Sequence, residues 1–390
     1  MFPFDVERLE RLMAEAGLDL ILATSRHNVR YLTGGYYIPT FKRLEPIGLS
    51  QYMPALGIAR GKLEQAFYVG VSVPDVDEVQ ALEVFGTMWV QNRYWVHELR
   101  RSVAGLIAGE AAQVVRKRGL SGARIGIERA FLPVEAFEVL QKELPEATFV
   151  DATPVLAELR AVKSPREIET IREVHDRTAR AIRATLAGAE PGETSRRVEA
   201  RLELEMASRG LHRIFTFAGI GPSYNRYPSD RTWDPGKIIN VDTVAELDGY
   251  LADLARMASM GEPPALALEL FDACLETQRR VRDAVGPGVP CREIHRLGWE
   301  SIRGNRWGEL GNFIAHGLGL VSNELPMFNS ETEMVLEPGM VVSIEAEYRH
   351  PEVGHVKLED TVVVTSTGCE GLGDFGREWC HVERRPGVPA

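Results

Sequence analysis

Hydrophobic and polar positions in the first 150 residues alternate between helical and strand-like spacing. Residues 5–16 carry apolar side chains at helical spacing, and Gly17 ends that pattern. Further along, the pattern predicts short apolar strands at 18–23, 124–128 and 147–151, and a long helix at 96–118. Strands separated by helices favour a small α/β domain with a partly parallel sheet.

The pattern changes near residues 152–165, and Ser164-Pro165 is typical of a helix N-cap followed by the first helical position. From there we predict helices at 165–186, 194–208, 265–285 and 291–303, and strands at 237–244, 250–257, 340–345 and 355–365. Helices and antiparallel strands within one segment indicate an α+β domain. The predicted domains are therefore 1–157 and 158–390.

Composition narrows the class of protein. A chain of 390 residues with 44% hydrophobic and 26% charged residues can bury more than one core. Its net charge of −11 argues against a nucleic-acid surface, and the sequence has neither a signal peptide nor an apolar run of about 18 residues for a membrane span. The four cysteines lack CxxC spacing, which fits a reducing compartment. We therefore expect a soluble, cytoplasmic protein that binds neither nucleic acid nor membrane.

Two acidic residues lie on the strands of a predicted hairpin. Asp248-Gly249 is a strong two-residue turn signal, and that turn pairs Asp253 with Val244. The period of two then places Asp242 and Asp253 on the same face, diagonally adjacent. These acids are either solvated on an exposed face or held around something positive, and the apolar residues that flank Asp242 weigh against solvation.

Three further residues are candidates for the same chemistry, and each has a structural alternative. His316 lies among apolar residues and glycines, so it is either a core histidine or a ligand. Glu345 ends a predicted apolar strand and Glu359 lies in the middle of another; either could be an ion-pair partner.

Four carboxylates and one imidazole together form a hard, oxygen-rich ligand set. Such a ligand set is typical of a site for Mn, Co, Zn or Fe(II) ions. It is not typical of a structural zinc site, which would use thiolates. Two divalent ions would balance the four negative charges, and a pair of ions can activate water while polarising a substrate oxygen.

These motifs resemble the pita-bread metallopeptidase family, which includes methionine aminopeptidase, Xaa-Pro aminopeptidase, prolidase and creatinase. Residues 30–34, Arg-Tyr-Leu-Thr-Gly, are similar to a stretch of the creatinase/prolidase-type N-terminal domain. The Asp-Gly-Tyr turn at 248–250, His-Gly-Leu-Gly at 316–319 and Glu-Asp-Thr at 359–361 follow in family order. The resemblance implies an α+β pita-bread domain preceded by a smaller α/β domain.

The resemblance also implies roles for the ligand residues. Asp242 would chelate one ion, Asp253 and Glu359 would bridge both ions, and His316 and Glu345 would bind the second. Glu345 would in addition act as the catalytic proton shuttle.

Residues around the ligands either match or depart from the family pattern. Arg256 matches a position that would hold a bridging carboxylate, although a generic ion pair is the alternative. Where family peptidases have two imidazoles, this chain has Asn225 and Asn323, which can donate hydrogen bonds to the substrate but cannot pass a proton near neutral pH. His355 or His350 could fill the gap; otherwise we hypothesise a changed substrate.

Three functions follow from the resemblance. The first is a dinuclear-metal hydrolase of the Xaa-Pro aminopeptidase/prolidase type that acts on a dipeptide or small amide, with manganese as one candidate metal. The second is a creatinase-like enzyme that cleaves a C–N or similar bond in a small metabolite, and the third is a non-catalytic binding module. Relatives of this type imply a homodimer, whose pocket the aromatic stretches at 34–37 and 88–95 could line, although core or dimer packing is the alternative.

Overall fold

The computed structural model describes residues 2–34, 53–71, 89–93 and 103–382. The chain divides into two compact units, Met1–Arg160 and Ala161–Ala390. The boundary predicted at 157/158 falls inside the helix Thr153–Ala161, which runs up to this division. Half of the two aromatic stretches named above, including Tyr36, Tyr37 and Trp95, lies outside the described residues.

The first unit is a mixed sheet with helices. Its strands are β1 (Leu20–Ala23), β2 (Ala55–Ala59), β3 (Lys62–Val71), β4 (Trp89–Arg93), β5 (Arg124–Ile127) and β6 (Thr148–Asp151), in the order β4-β3-β2-β1-β5-β6. Its helices in the described ranges are Val6–Glu15, Arg26–Thr33, Val103–Lys117, Val134–Glu143 and Thr153–Ala161. Strand β1 pairs antiparallel with β2 and parallel with β5, so the predicted partly parallel α/β sheet is confirmed. Strands β2 to β4 were not predicted.

The second unit is built on a large, mainly antiparallel sheet. Its helices in the described residues are Pro165–Ala187, Ser195–Ser208, Ala265–Ala284 and Cys291–Arg303, with one short 3₁₀ turn at Gly308–Leu310. Its strands are β7 (Glu193–Thr194), β8 (His212–Ile220), β9 (Thr232–Trp233), β10 (Ile238–Leu247), β11 (Tyr250–Met260), β12 (Gly311–Gly317), β13 (Glu324–Met327), β14 (Val341–His350), β15 (Gly354–Val364), β16 (Cys369–Leu372) and β17 (Cys380–Val382). The main sheet runs β13-β12-β14-β15-β11-β10-β8, with β16 on β15 and β17 on β11. The predicted α+β class of this domain is confirmed.

One face of this sheet is apolar and packs against the helices. Residues of β14 and β15 such as Ile344 and Leu358 join a core with the helices Ala265–Ala284 and Cys291–Arg303. Residues of β10 and β11 such as Val241 and Leu254 join another core with Pro165–Ala187 and Ser195–Ser208. Because side chains alternate along a strand, the residues between these apolar positions face the opposite side of the sheet.

The hairpin β10–β11 has the predicted turn and register. Asp248 and Gly249 both have positive φ, 49° and 84°, which is the conformation of a two-residue type I′ turn. Val244 pairs with Asp253, and Asp242 pairs with Ala255. The two acids are therefore diagonal neighbours on one face, as the sequence predicts.

A membrane helix was not expected from the sequence. Within the described parts of the chain, each helix is too short or too polar to cross a bilayer.

The turn geometry makes Gly249 a test of the hairpin register. We expect Gly249→Ala to lower the free energy of unfolding by about 1 kcal/mol, because a Cβ at positive φ is strained. The matched control is Gly109→Ala, within the helix Val103–Lys117, where the nearest atom to an added Cβ is 3.7 Å away. That change should be neutral or stabilising, by up to ~1 kcal/mol. Chemical unfolding midpoints measure both, and equal effects would contradict the turn assignment.

Candidate metal centre

The five predicted ligands meet on the face of the sheet opposite the helices. Strands β10, β11, β12, β14 and β15 each contribute one residue. Cross-strand pairing aligns them: Glu359 lies opposite both Glu345 on β14 and Ala255 on β11. All five side chains belong to buried residues, which are Asp242, Asp253, His316, Glu345 and Glu359. The structure therefore brings together every residue that the sequence proposed as a metal ligand.

Three of these residues form the tightest group. One potential ligand atom from each of Asp253, His316 and Glu359 lies within 4.8 Å of the others. The Nε2 atom of His316 is 3.2 Å from Glu345 Oε1 and 3.7 Å from Glu359 Oε1. Its Nδ1 atom is 3.0 Å from the carbonyl oxygen of Gly317. Because a carbonyl can only accept, Nδ1 carries a proton, and Nε2 is the nitrogen that points a lone pair at the cluster when the ring is neutral.

Burial and like charges perturb the acids and the imidazole. The pKa of Asp253 is raised well above its usual value, first by burial and then by the neighbouring carboxylates of Glu359 and Asp242. Burial alone would lower the pKa of His316, but hydrogen bonds with Glu345 and Glu359 outweigh it and raise that pKa well above its usual value. A bound cation would displace protons from groups whose pKa is raised in this way.

A lysine that the sequence reasoning missed lies among the carboxylates. The Nζ atom of Lys357 is 2.6 Å from Asp242 Oδ2, 2.6 Å from Glu345 Oε2 and 2.8 Å from Glu359 Oε2. The residue is 4% exposed. Burial opposes its charge, but the surrounding carboxylates, Asp242 first, raise its pKa well above the usual value. Its position two residues before Glu359 on a strand places both on the same face, and that periodicity was the available signal.

A second cation approaches the cluster from the loop after β8. The guanidinium of Arg226 forms an ion pair with Asp242 Oδ2. It also lies over the ring of Phe217, with its Cζ atom 4.4 Å from the ring centroid. The sequence reasoning considered the neighbouring Asn225 and missed Arg226, which lies in a loop without periodic signal.

The catalytic acid predicted from the resemblance is ionised in this environment. Burial raises the pKa of Glu345, but the charge of Lys357 and the hydrogen bond with His316 outweigh it, and the net shift is downward. One carboxylate oxygen of Glu345 faces His316 and the other faces Lys357.

The two asparagines named as substitutes for family imidazoles are exposed. The Oδ1 atom of Asn225 accepts a hydrogen bond from the main-chain N–H of Tyr227, which is a local turn contact. The Nδ2 atom of Asn323 donates to the hydroxyl of Ser322 at 3.4 Å. Their catalytic role stays a prediction, because both described contacts are with chain neighbours.

The histidines considered as replacements have other partners. His355 is buried, and its Nε2 atom lies 2.8 Å from Glu347 Oε2 on the adjacent strand. His350 packs edge-on against Trp307, with ring centroids 5.1 Å apart. His355 therefore contacts a carboxylate beside the five ligands rather than one of them.

Arg256 supports β15 through contacts that differ from the one the resemblance implied, which was with a bridging carboxylate. Its guanidinium pairs with Asp360 at 2.8 Å and donates to the main-chain carbonyl of Glu359 at 2.8 Å. Among the described residues, Arg256 thus anchors the strand that carries Glu359 and does not contact that carboxylate. Glu359 Oε1 instead accepts a hydrogen bond from the hydroxyl of Ser343 at 2.9 Å.

The donor set fits a divalent metal ion. Carboxylate oxygens and one imidazole nitrogen converge from separate strands, and each has a hydrogen bond or strand pairing that orients it. No lysine or arginine in the described ranges forms an ion pair with Asp253, so its carboxylate is available to a metal.

Comparison with models of known protein families shows which family has this site. The model for metallopeptidase family M24 matches residues 169–366, just over half of the chain, and contains all five ligand positions. The chain belongs to metallopeptidase family M24. The model of the creatinase/prolidase N-terminal domain matches residues 6–162. This M24 chain is accordingly a metal-dependent hydrolase, and the resemblance drawn from its motifs is confirmed.

Relatives of known name support this family assignment. The chain is 28% identical over 260 residues to an Xaa-Pro dipeptidase from Pyrococcus horikoshii, covering 65% of this chain and 74% of that protein. It is 25% identical over 369 residues to the uncharacterized peptidase YqhT from Bacillus subtilis, covering 93% and 96%. The structure of an Xaa-Pro dipeptidase from Bacillus anthracis superposes with a TM-score of 0.81 at 25% identity, covering 97% of this chain and 99% of that one.

Metal binding should stabilise the folded M24 domain through His316. We expect Mn²⁺ at about 100 times its dissociation constant to raise the thermal unfolding midpoint by roughly 5–10 °C, since a ligand that binds only the folded state stabilises it. His316→Ala should remove most of that rise. The control is His295→Ala, on the helix Cys291–Arg303, which should keep it. An equal rise in all three proteins, read by scanning fluorimetry, would contradict the assigned centre.

Proposed function

We propose that this chain is a dipeptidase of the Xaa-Pro type, which hydrolyses a dipeptide or small amide with a divalent metal ion. The observation that carries the proposal is the buried convergence of Asp253, His316 and Glu359 within 4.8 Å, next to an ionised Glu345. The relatives named Xaa-Pro dipeptidase support the substrate class.

The proposed chemistry divides between the ion and the side chains. When bound, a divalent ion supplies Lewis-acid polarisation of the substrate carbonyl and lowers the pKa of the attacking water. Glu345 accepts the proton of that water, since its lowered pKa keeps it ionised, and returns it to the leaving amine. His316 keeps its Nε2 atom directed at the cluster, because Nδ1 is bonded to the Gly317 carbonyl.

The number and identity of the ions remain predictions. The resemblance implies two ions, which Asp253 and Glu359 would both help to hold. The oxygen-rich donor set supports Mn, Co or Fe(II), and Zn also fits. Manganese is the first ion to test, because it accepts mixed carboxylate and imidazole ligands.

The cellular compartment and the oligomeric state are also proposals. The four cysteines are free, which supports a reducing compartment and hence the cytoplasm. The homodimer is proposed from the resemblance of the N-terminal domain, and size-exclusion chromatography with light scattering measures it.

A second candidate function rests on the two asparagines. Asn225 and Asn323 are exposed and contact their own neighbours, so the described residues offer no imidazole at either position. An enzyme without these imidazoles would instead cleave a C–N or similar bond in a small metabolite. This alternative keeps the metal centre and changes only the substrate.

A dipeptide panel distinguishes the two functions. We expect the Mn²⁺-loaded protein to hydrolyse Xaa-Pro dipeptides, and Glu345→Gln to lower kcat at least ~100-fold because the amide cannot accept a proton. Glu293→Gln, on the helix Cys291–Arg303 outside the sheet, is the matched control and should keep full activity. Release of free proline measures the reaction. If the metal-loaded protein cleaves none of the dipeptides, the C–N bond enzyme replaces the dipeptidase.

A further inference from the structure

Two fixed cations already lie on one side of the metal cluster. The ammonium of Lys357 contacts Asp242, Glu345 and Glu359 at 2.6–2.8 Å, so each of its three protons has a carboxylate acceptor. Arg226 pairs with the same Oδ2 atom of Asp242 that Lys357 contacts. Asp242 is therefore the most heavily compensated of the four acids.

The side chains that carry these charges are held in place. Lys357 is 4% exposed and sits on the central strand β15, between neighbours that pair along its length. Arg226 packs over the Phe217 ring on β8, the strand next to Asp242 on β10. Moving both cations away would leave Asp242 buried with an uncompensated charge, which is costly.

Charge balance leaves a place for one divalent ion. Four ionised carboxylates contribute four negative charges, and Lys357 and Arg226 contribute two positive charges. The remaining two negative charges equal the charge of one divalent ion. Among the described residues, no lysine or arginine forms an ion pair with Asp253, which lies close to His316 and Glu359.

We infer that this chain binds one divalent ion tightly, through Asp253, His316 and Glu359, and that the Lys357 ammonium with Arg226 excludes the second ion at Asp242. A second dication on Asp242 would have to approach an ammonium that contacts the same oxygen, and like charges in a buried site repel strongly. Asp242 is thus an anchor for Lys357 rather than a metal ligand. The inference rests on the proposed metal-dependent function and changes its ion count from two to one.

Metal stoichiometry tests this inference directly. The full chain is saturated with Mn²⁺ and freed of excess ion by gel filtration, and manganese per chain is measured by mass spectrometry. We expect one ion in the natural protein and two in Lys357→Met, which keeps the chain length of lysine without its charge. Lys237→Met removes a lysine that pairs with the partly exposed Asp234, so it should keep one ion.

The outcomes separate the inference from the function on which it rests. Two ions in the natural protein would overturn the inference and leave the dipeptidase intact, whereas none would overturn both. One ion in Lys357→Met and still one in the double variant Lys357→Met/Arg226→Met would also overturn it, because the cations would then not be what excludes the second ion.

A spectroscopic measurement makes the result independent of any variant. Electron paramagnetic resonance of the Mn²⁺-saturated natural protein should show the six-line signal of an isolated ion. The broadened multiline signal of a spin-coupled manganese pair would overturn the inference, even if Lys357→Met failed to fold.

Discussion

Four carboxylates buried on one face of a sheet repel each other, and the rest of the catalytic unit is arranged around that repulsion. Removing charges from water is costly, and placing like charges side by side adds to the cost. The chain meets it in two ways: it supplies a buried lysine and an arginine next to Asp242, and it leaves Asp253, whose pKa burial raises well above its usual value, for a bound cation. The negative charge of the carboxylates is thus neutralised partly by fixed side-chain cations and partly by a bound metal ion, so the same cations that stabilise the site also determine its chemistry.

The fold makes that arrangement possible through a simple alternation. Apolar residues on β10, β11, β14 and β15 bind the helices on one face, and the intervening polar residues are forced to the other. Antiparallel pairing then aligns Glu345 with Glu359 and brings Asp253 close to Glu359. Precise placement of ligands on rigid strands explains how side chains from five distant segments converge.

Local signals explain what could be predicted from the sequence. The Asp248-Gly249 turn sets the hairpin register by itself, so the diagonal pair Asp242 and Asp253 followed from spacing alone. The other ligands needed the family motifs, because pairing of β12, β14 and β15 is non-local. Lys357 was missed although its spacing from Glu359 was visible, since a cation was not sought among ligands. Arg226 could not be predicted, because only tertiary packing brings its loop to Asp242.

The most direct test of cationic compensation is the position of the metal itself. Anomalous diffraction from crystals of the Mn²⁺-loaded protein locates the ion among its ligands. The account predicts one peak bonded to Asp253, His316 and Glu359, with the Lys357 ammonium still against Asp242. A peak away from these side chains, or a pair of peaks with Lys357 displaced into solvent, would contradict it.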